Sequence, residues 1–289
     1  MKLGLYVIQA IGRSSFMLVN VKNLVVSRRS RYQQIDVVDT EEFGRALVLD
    51  GLIQSTEVDE FYYHESLVHP AMVLHENPRR VLILGGGEGA TLREVLKHKP
   101  VEKAVMVDID GDVVNIAREH LRSWHEGAFD DPRAQVVIED GKKFVEEIED
   151  KFDVVIMDLT DPYGPEVARE LYKEDFIRRI HEILNEGGVL STQAGTSFFY
   201  PTEYGELYQS ISRIFRYVDS FSTWIPSFGY ACNFIVASKS RSLRSLSEQE
   251  VDSKLKLRNV RTRFIDGRTL KALLDVPEYR RILPHRSTS

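Results

Sequence analysis

An α/β fold, a doubly wound sheet preceded by a small β unit, is predicted by three observations. From residue 81 onward, apolar runs of strand length alternate with segments of helical spacing. The first of these runs passes straight into a glycine-rich turn, Gly85-Gly86-Gly87-Glu88-Gly89-Ala90. Ahead of it, residues 32–57 read as short β-rich pieces, with Asp50-Gly51 as a hairpin-type turn.

In the front unit, 35–38 and 46–49 are the clearest strand candidates. In the main unit the strand at 81–84 precedes Leu92, Val95 and Leu96 at helical spacing. The strand at 104–107 precedes a helix carrying Val113, Ile116, Ala117 and Leu121. Further strands are expected at 135–138, 154–157 and 189–192, with helices at 144–148 and 171–184, and 234–237 adds an edge strand. The order is Rossmann-like. It divides the chain into an N-terminal β domain, 1–75, and a catalytic domain, 76–289. The basic patch at 27–31 and the Arg/Ser-rich stretch at 238–245 read as solvated loops.

Composition narrows the partners. The 289 residues carry 38 basic and 44 acidic side chains, interspersed, for a net charge of -6, which leaves no basic footprint for nucleic acid. Cys232 is the only cysteine, so a disulfide framework and a Cys-based zinc site are excluded and a reducing, cytoplasmic setting is expected. The apolar start is broken by Gln9, Gly12 and Arg13, and no stretch is read as a membrane span.

Ligands of such sheets bind at the carboxyl ends of the strands. The first strand end offers Gly85, Gly87 and Gly89, which let backbone approach a ligand, but Glu88 sits inside the turn. A carboxylate there repels a pyrophosphate and attracts an ammonium or sulfonium, which argues against a nicotinamide dinucleotide. Asp108 ends the second strand, about 20 residues beyond the turn, where an acid accepts from ribose hydroxyls. Asp140-Gly141 ends the third, where Asp140 either accepts from an adenine amine or caps the helix that follows. The fourth ends in Asp158-Leu159-Thr160-Asp161-Pro162, two carboxylates at the same mouth. An amine nucleophile arrives as an ammonium of pKa roughly 10, so a carboxylate must hold it and take its proton. A calcium-like or capping loop is the other reading of Asp158 and Asp161. No further metal ligands converge, and a metal is not expected.

Together the glycine turn, Asp108, Asp140-Gly141 and Asp158-x-x-Asp161-Pro162 resemble the polyamine aminopropyltransferases, the spermidine/spermine synthase family. The likeness extends over Tyr32-Gln33-Gln34-Ile35, Leu49-Asp50-Gly51, Asp59-Glu60-Phe61-Tyr62-Tyr63-His64-Glu65, Leu171-Tyr172, Thr192-Gln193-Ala194-Gly195 and Pro277-Glu278-Tyr279. The first 30 residues or so lack the family's usual signature. The resemblance implies a class I methyltransferase-type sheet and a homodimer or homotetramer formed partly through the front β unit. It implies that Gln33 and Asp108 hold the ribose and methylthio portion of decarboxylated S-adenosylmethionine, a co-substrate, so that no cofactor is needed. By the same likeness Asp140 holds adenine, His64 contacts the donor and Glu88 binds its ammonium. Asp158 is then the general base assisted by Asp161, with Tyr63 and Gln193 on the acceptor side.

Two departures bear on the acceptor. Leu159-Thr160 stands where spermidine synthases have two small hydroxyl residues, and Phe228 replaces a tyrosine that helps fix putrescine. Both resemble thermospermine synthases, so spermidine is the expected acceptor, or a relaxed choice, with putrescine and agmatine as alternatives. Phe228 also reads as plain core packing. The rival readings are an S-adenosylmethionine methyltransferase, which shares the glycine turn and the ribose acid, and a non-enzymatic nucleoside-binding module.

Overall fold

The computed structural model describes residues 4–164 and 166–276. Five antiparallel strands form a meander: β1 (Leu5–Ala10), β2 (Phe16–Arg29), β3 (Gln34–Thr40), β4 (Arg45–Leu49) and β5 (Leu52–Thr56). Asp50 and Gly51, with φ of 46° and 82°, make the turn between β4 and β5 that their sequence predicts. Helix α1 (Glu60–Leu74) follows, then β6 (Arg80–Gly85), α2 (Ala90–Leu96), β7 (Lys103–Asp108), α3 (Gly111–His120) and α4 (Arg122–His125). The chain continues through β8 (Ala134–Ile138), α5 (Gly141–Glu147), β9 (Phe152–Asp158), α6 (Glu166–Glu170), α7 (Glu174–Ile183) and β10 (Leu184–Gln193). It ends with α8 (Pro201–Ile214), β11 (Tyr217–Ile225), β12 (Tyr230–Ser238), α9 (Glu248–Leu257) and α10 (Gly267–Asp275).

The second sheet runs β11-β12-β10-β9-β6-β7-β8, parallel from β10 to β8 and antiparallel at β12 and β11. Its central strands carry continuous apolar runs, residues 81–84, 104–107 and 154–157, because both faces are covered. Val81 and Ile83 of β6 belong to one core with α1, α2 and α9, while Leu82 and Leu84 belong to another with α5, α7 and α8. Strand order reverses at β6, which has β7 on one side and β9 on the other. The crevice outside β6 and β9 is therefore the switch point where such sheets bind ligands.

Three expectations change. Residues 234–237 lie in β12, which is not the edge strand, since β11 covers it. The helix read at 171–184 begins at Glu174, and residues 171–173 turn so that Tyr172 is buried. Of the two stretches read as loops, residues 27–29 complete β2, and Leu243 in the short 3-10 turn Leu243–Ser245 is buried. Residues 277–279 of the family likeness lie outside the described residues.

Helix α1, at the end of the segment assigned to the front unit, packs on α2, β9, β10, β11 and β12. Its entry is tied down by Asp59, which accepts from Thr56 Oγ1 at 2.6 Å, Ser227 N at 2.7 Å and Ser227 Oγ at 3.0 Å. Buried Glu65 is satisfied by three backbone amides, of Arg263, Phe264 and Ile265, at 2.7–2.9 Å.

The β6 turn is shaped by one close approach. Gly85 has φ +81°, and a Cβ there would lie 2.1 Å from the carbonyl oxygen of Asp158. Gly85→Ala is expected to cost about 3 kcal/mol or more in thermal or denaturant unfolding, from a left-handed angle and a backbone clash. Gly51→Ala, with φ +82° and nothing within 4 Å, should cost only about 1–2 kcal/mol. Equal losses would show that the angle alone matters.

Candidate active site

Strands β6 and β9 are in register with Gly85 opposite Asp158, and Gly86 N donates to Asp158 O at 3.0 Å. The glycine turn and the predicted base thus share one corner. Asp158 Oδ1 accepts from Tyr63 Oη at 2.8 Å and Oδ2 from Thr91 Oγ1 at 2.6 Å. Burial raises the Asp158 carboxyl to about 6, reinforced by the charge of Glu88 and opposed by His64 and the two hydroxyls.

Consecutive residues on α1 serve two neighbours. Tyr63 reaches Asp158, and His64 is held between carboxylates. Its Nε2 lies 3.1 Å from Glu88 Oε1 and its Nδ1 lies 2.7 Å from Glu60 Oε2. Arg93 Nη2 donates to the same Glu60 oxygen at 3.0 Å. Burial alone would lower His64, but the hydrogen bonds and charges of Glu60 and Glu88 outweigh it and raise the imidazole to about 10. His64 is then an imidazolium donating from both nitrogens. His64, Glu88 and Asp158 each bring one ligand-type atom within 4.8 Å of the others. Both His64 nitrogens are already engaged, by Glu60 and by Glu88, and the two carboxylates of Glu88 and Asp158 suit an organic cation.

On the nucleoside side, Asp108 Oδ1 accepts from Asp110 N at 2.8 Å, and a Cβ at Gly87 would meet Asp108 Oδ2 at 2.7 Å. Burial raises Asp108 to about 7, with further repulsion from Glu88, Asp110 and Asp158 and an opposing backbone bond. Gln33 Nε2 donates to Asp110 Oδ2 at 3.0 Å, which also accepts from Ser30 Oγ at 2.6 Å. The loop after β2 is thereby fixed over the end of β7. Asp140 Oδ1 caps α5 by accepting from Lys142 N at 2.8 Å, and Gly141 opens that helix.

On the opposite side, burial raises Asp161 to about 6 against hydrogen bonds from Tyr163, Tyr230 and Gln193. Gln193 fixes the loop after β9. Its Nε2 donates to Leu159 O at 2.7 Å and Tyr172 Oη at 2.9 Å, and Tyr172 Oη donates to Thr160 O at 3.1 Å. Phe228 is buried at 7% exposure, with its ring centroid 5.9 Å from Tyr63 and 5.5 Å from Tyr230. Sequence reasoning missed Thr91, Glu60, Arg93, Ser30, Tyr163, Tyr172 and Tyr230 as site residues. Thr91 alone had a signal, a hydroxyl in the first turn after the glycines. A cavity of about 280 Å³, lined in part by Glu57, Arg93, Glu94 and Arg263, lies behind Glu60 and lacks Asp158.

The folded-state value of Asp108 is above its unfolded one, so the stabilising contribution is fully present below pH 3.8 and lost as pH rises through about 7. Asp108→Asn keeps an acceptor for the Asp110 amide and removes that loss. It should raise the thermal midpoint at pH 8 and leave it unchanged near pH 3.5. A midpoint lowered equally at both values would contradict the assignment.

Comparison with known proteins agrees over nearly the whole chain. Residues 60–247 match the spermine/spermidine synthase domain and residues 12–57 the spermidine synthase tetramerisation domain. The chain is 54% identical over 278 residues to a polyamine aminopropyltransferase of Pyrobaculum neutrophilum, covering 95% of this chain and 96% of that one. It is 49% identical to one of Aeropyrum pernix, covering 90% and 84%. A spermidine synthase solved with the transition state analogue AdoDATO superposes with a TM-score of 0.89 at 32% identity, over 96% of this chain and 93% of the other. Spermidine synthase from Thermotoga maritima gives 0.86 at 31%, over 96% and 92%. Among the described residues no helix is long and apolar enough to cross a membrane. With the strand-end acids, the glycine turn and both halves of the chain matched, the protein belongs to the spermine/spermidine synthase family and is an aminopropyltransferase.

Proposed function

We propose that the enzyme transfers the aminopropyl group of decarboxylated S-adenosylmethionine to a polyamine and releases methylthioadenosine. The observation that carries this reading is Asp158, a carboxyl raised to about 6, oriented by Tyr63 and Thr91 and adjoining Glu88. The acceptor arrives as an ammonium and gives its proton to Asp158. Its nitrogen pair attacks the methylene next to sulfur; a C–N bond forms, the C–S bond breaks, and sulfur keeps the pair as a neutral thioether. The sulfonium leaves without an electrophile to activate it, so positioning supplies most of the barrier reduction. Glu88 takes the donor's ammonium, its carboxylate held by His64, which Glu60 holds in turn. Asp108, supported by Gln33 through Asp110, faces the ribose, and Asp140 the adenine. Asp161, Tyr63, Gln193 and Phe228 line the acceptor side.

We assign spermidine as acceptor, giving thermospermine, or a relaxed choice among amines, on the apolar wall that Phe228 makes. The alternative is putrescine or agmatine. It is favoured by the phenols of Tyr230, 3.4 Å from Asp161 Oδ2, and Tyr163, which restore hydroxyls beside the acid. Loss of one hydroxyl relaxes selectivity more readily than it redirects it. The homodimer or homotetramer reading is supported by the match to a tetramerisation domain and by Ile8, Phe16 and Leu18, each at least 60% exposed on β1 and β2.

Turnover is read by methylthioadenosine release with putrescine, agmatine, 1,3-diaminopropane or spermidine. Asp158→Asn should lower kcat by about 10²–10⁴ for every amine. Retained activity would remove Asp158 from the base role, and no product from wild type with any amine would refute the reaction. The carboxylate form is required, so kcat/KM should fall as pH drops through about 6. Tyr63 holds that value down, so Tyr63→Phe should move the acid limb to higher pH; a shift to lower pH would contradict the assignment.

A further inference from the structure

The turn joining β1 to β2 closes over the acceptor side of the site. Ile11 N and Gly12 N both bond to Ser15 O, and Gly12 lies so near Phe199 that a Cβ would come within 2.5 Å of its ring. This seats Arg13 beside the start of α8. Arg13 Nη2 donates to Glu203 Oε1 at 2.8 Å, and its guanidinium carbon stands 5.7 Å from the centroid of the Tyr200 ring. Tyr200 stacks on Tyr163 at 3.6 Å and 13°, and Tyr163 hydrogen-bonds Asp161.

A line of contacts therefore runs outward from Asp161 through two stacked phenols to the Arg13 guanidinium and, through it, to the Glu203 carboxylate. Glu203 and the ring of Tyr200 form a cation site of carboxylate-plus-aromatic type. In this structure the cation in it is the chain's own Arg13, whose side chain is 73% exposed. The second oxygen, Glu203 Oε2, is buried without a hydrogen-bond partner, so the carboxylate's bonding capacity is not met by Arg13 alone. An exposed ion pair of this kind contributes little to stability, so another cation displaces it readily.

The geometry points to Glu203 and Tyr200 as the subsite for the distal ammonium of a long acceptor, with Arg13 as an internal stand-in that the amine displaces. This rests on the aminopropyl-transfer reading and makes it specific. A triamine is longer than a diamine and carries a further ammonium, so it is the acceptor expected to extend past Asp161 towards Glu203. Selection for length then comes from the first turn of α8 and from the front hairpin, beyond the wall at Phe228.

The test is the ratio of kcat/KM for spermidine to that for putrescine, in the full-length protein, for Glu203→Gln and Arg13→Ala. Both variants remove the same ion pair, but only the first removes the carboxylate. Glu203→Gln should lower the ratio about tenfold, through KM for spermidine. Arg13→Ala removes the competing cation and should raise it about threefold. A change of the same sign in both would make the pair a mere anchor for the hairpin and overturn the subsite. So would an unchanged ratio, or a wild type that accepts diamines only. Failure of the wild type to release methylthioadenosine with any amine is a separate outcome that removes the transfer reaction itself.

Discussion

The amide of Gly86 donates to the carbonyl of Asp158 at 3.0 Å, across the point where β6 and β9 lie side by side. The rest of the site depends on that approach. It is possible only because residue 85 lacks a side chain, and it puts the glycine turn and the loop after β9 on one corner of the sheet. From there each chemical group is one element away. Helix α2 brings Thr91, β7 brings Asp108, and α1, lying across the sheet, brings Tyr63 and His64 together. Shifting β9 by one residue would turn Asp158 to the opposite face and separate it from both hydroxyls.

Charge explains why these groups tolerate one another. Glu88, Asp108, Asp158 and Asp161 share a poorly hydrated corner, and the values of Asp108, Asp158 and Asp161 are raised by burial, two of them further by neighbouring acids. His64 is the cation supplied from α1, balanced on its other side by Glu60 and Arg93. It offsets part of the excess and leaves the remainder for a ligand. In the proposed reaction a substrate pair bearing sulfonium and ammonium charges would supply what is missing, so that substrate binding would relieve the carboxylate repulsion. The hairpin ion pair at Arg13 and Glu203 repeats that logic at smaller scale and greater exposure.

How much of this was legible in the sequence follows from the kind of signal each element emits. The central strands read clearly because two covered faces give them continuous apolar runs, and the strand-end acids followed from the topology. Helix α1 gave no amphipathic pattern, since it is buried nearly all round and carries Glu60, His64, Glu65 and His69 inside. Strand β11 escaped because Asp219, Ser220, Ser222 and Thr223 break its apolar run; without it β12 looks like an edge. Tyr172 was read as helical, whereas its hydroxyl bridges Gln193 and the backbone of the β9 loop. Gln33 touches Asp110, a contact across two sheets that spacing along the chain cannot encode. Arg13 carries no motif that the sequence reading uses, although residues 12–57 match the tetramerisation domain, and its pairing with Glu203 follows only from where the hairpin lands.

The central claim is that a poorly solvated carboxylate at residue 158 is kept ready to accept a proton from a bound amine. Carboxyl-carbon NMR on protein labelled at aspartate, with Asp158→Asn to assign the resonance, measures this without relying on turnover. The account predicts a titration midpoint near 6 in the free enzyme that falls when a polyamine binds, because an adjacent cation favours the charged form. A midpoint near the ordinary 3.8, unmoved by the amine, would contradict it.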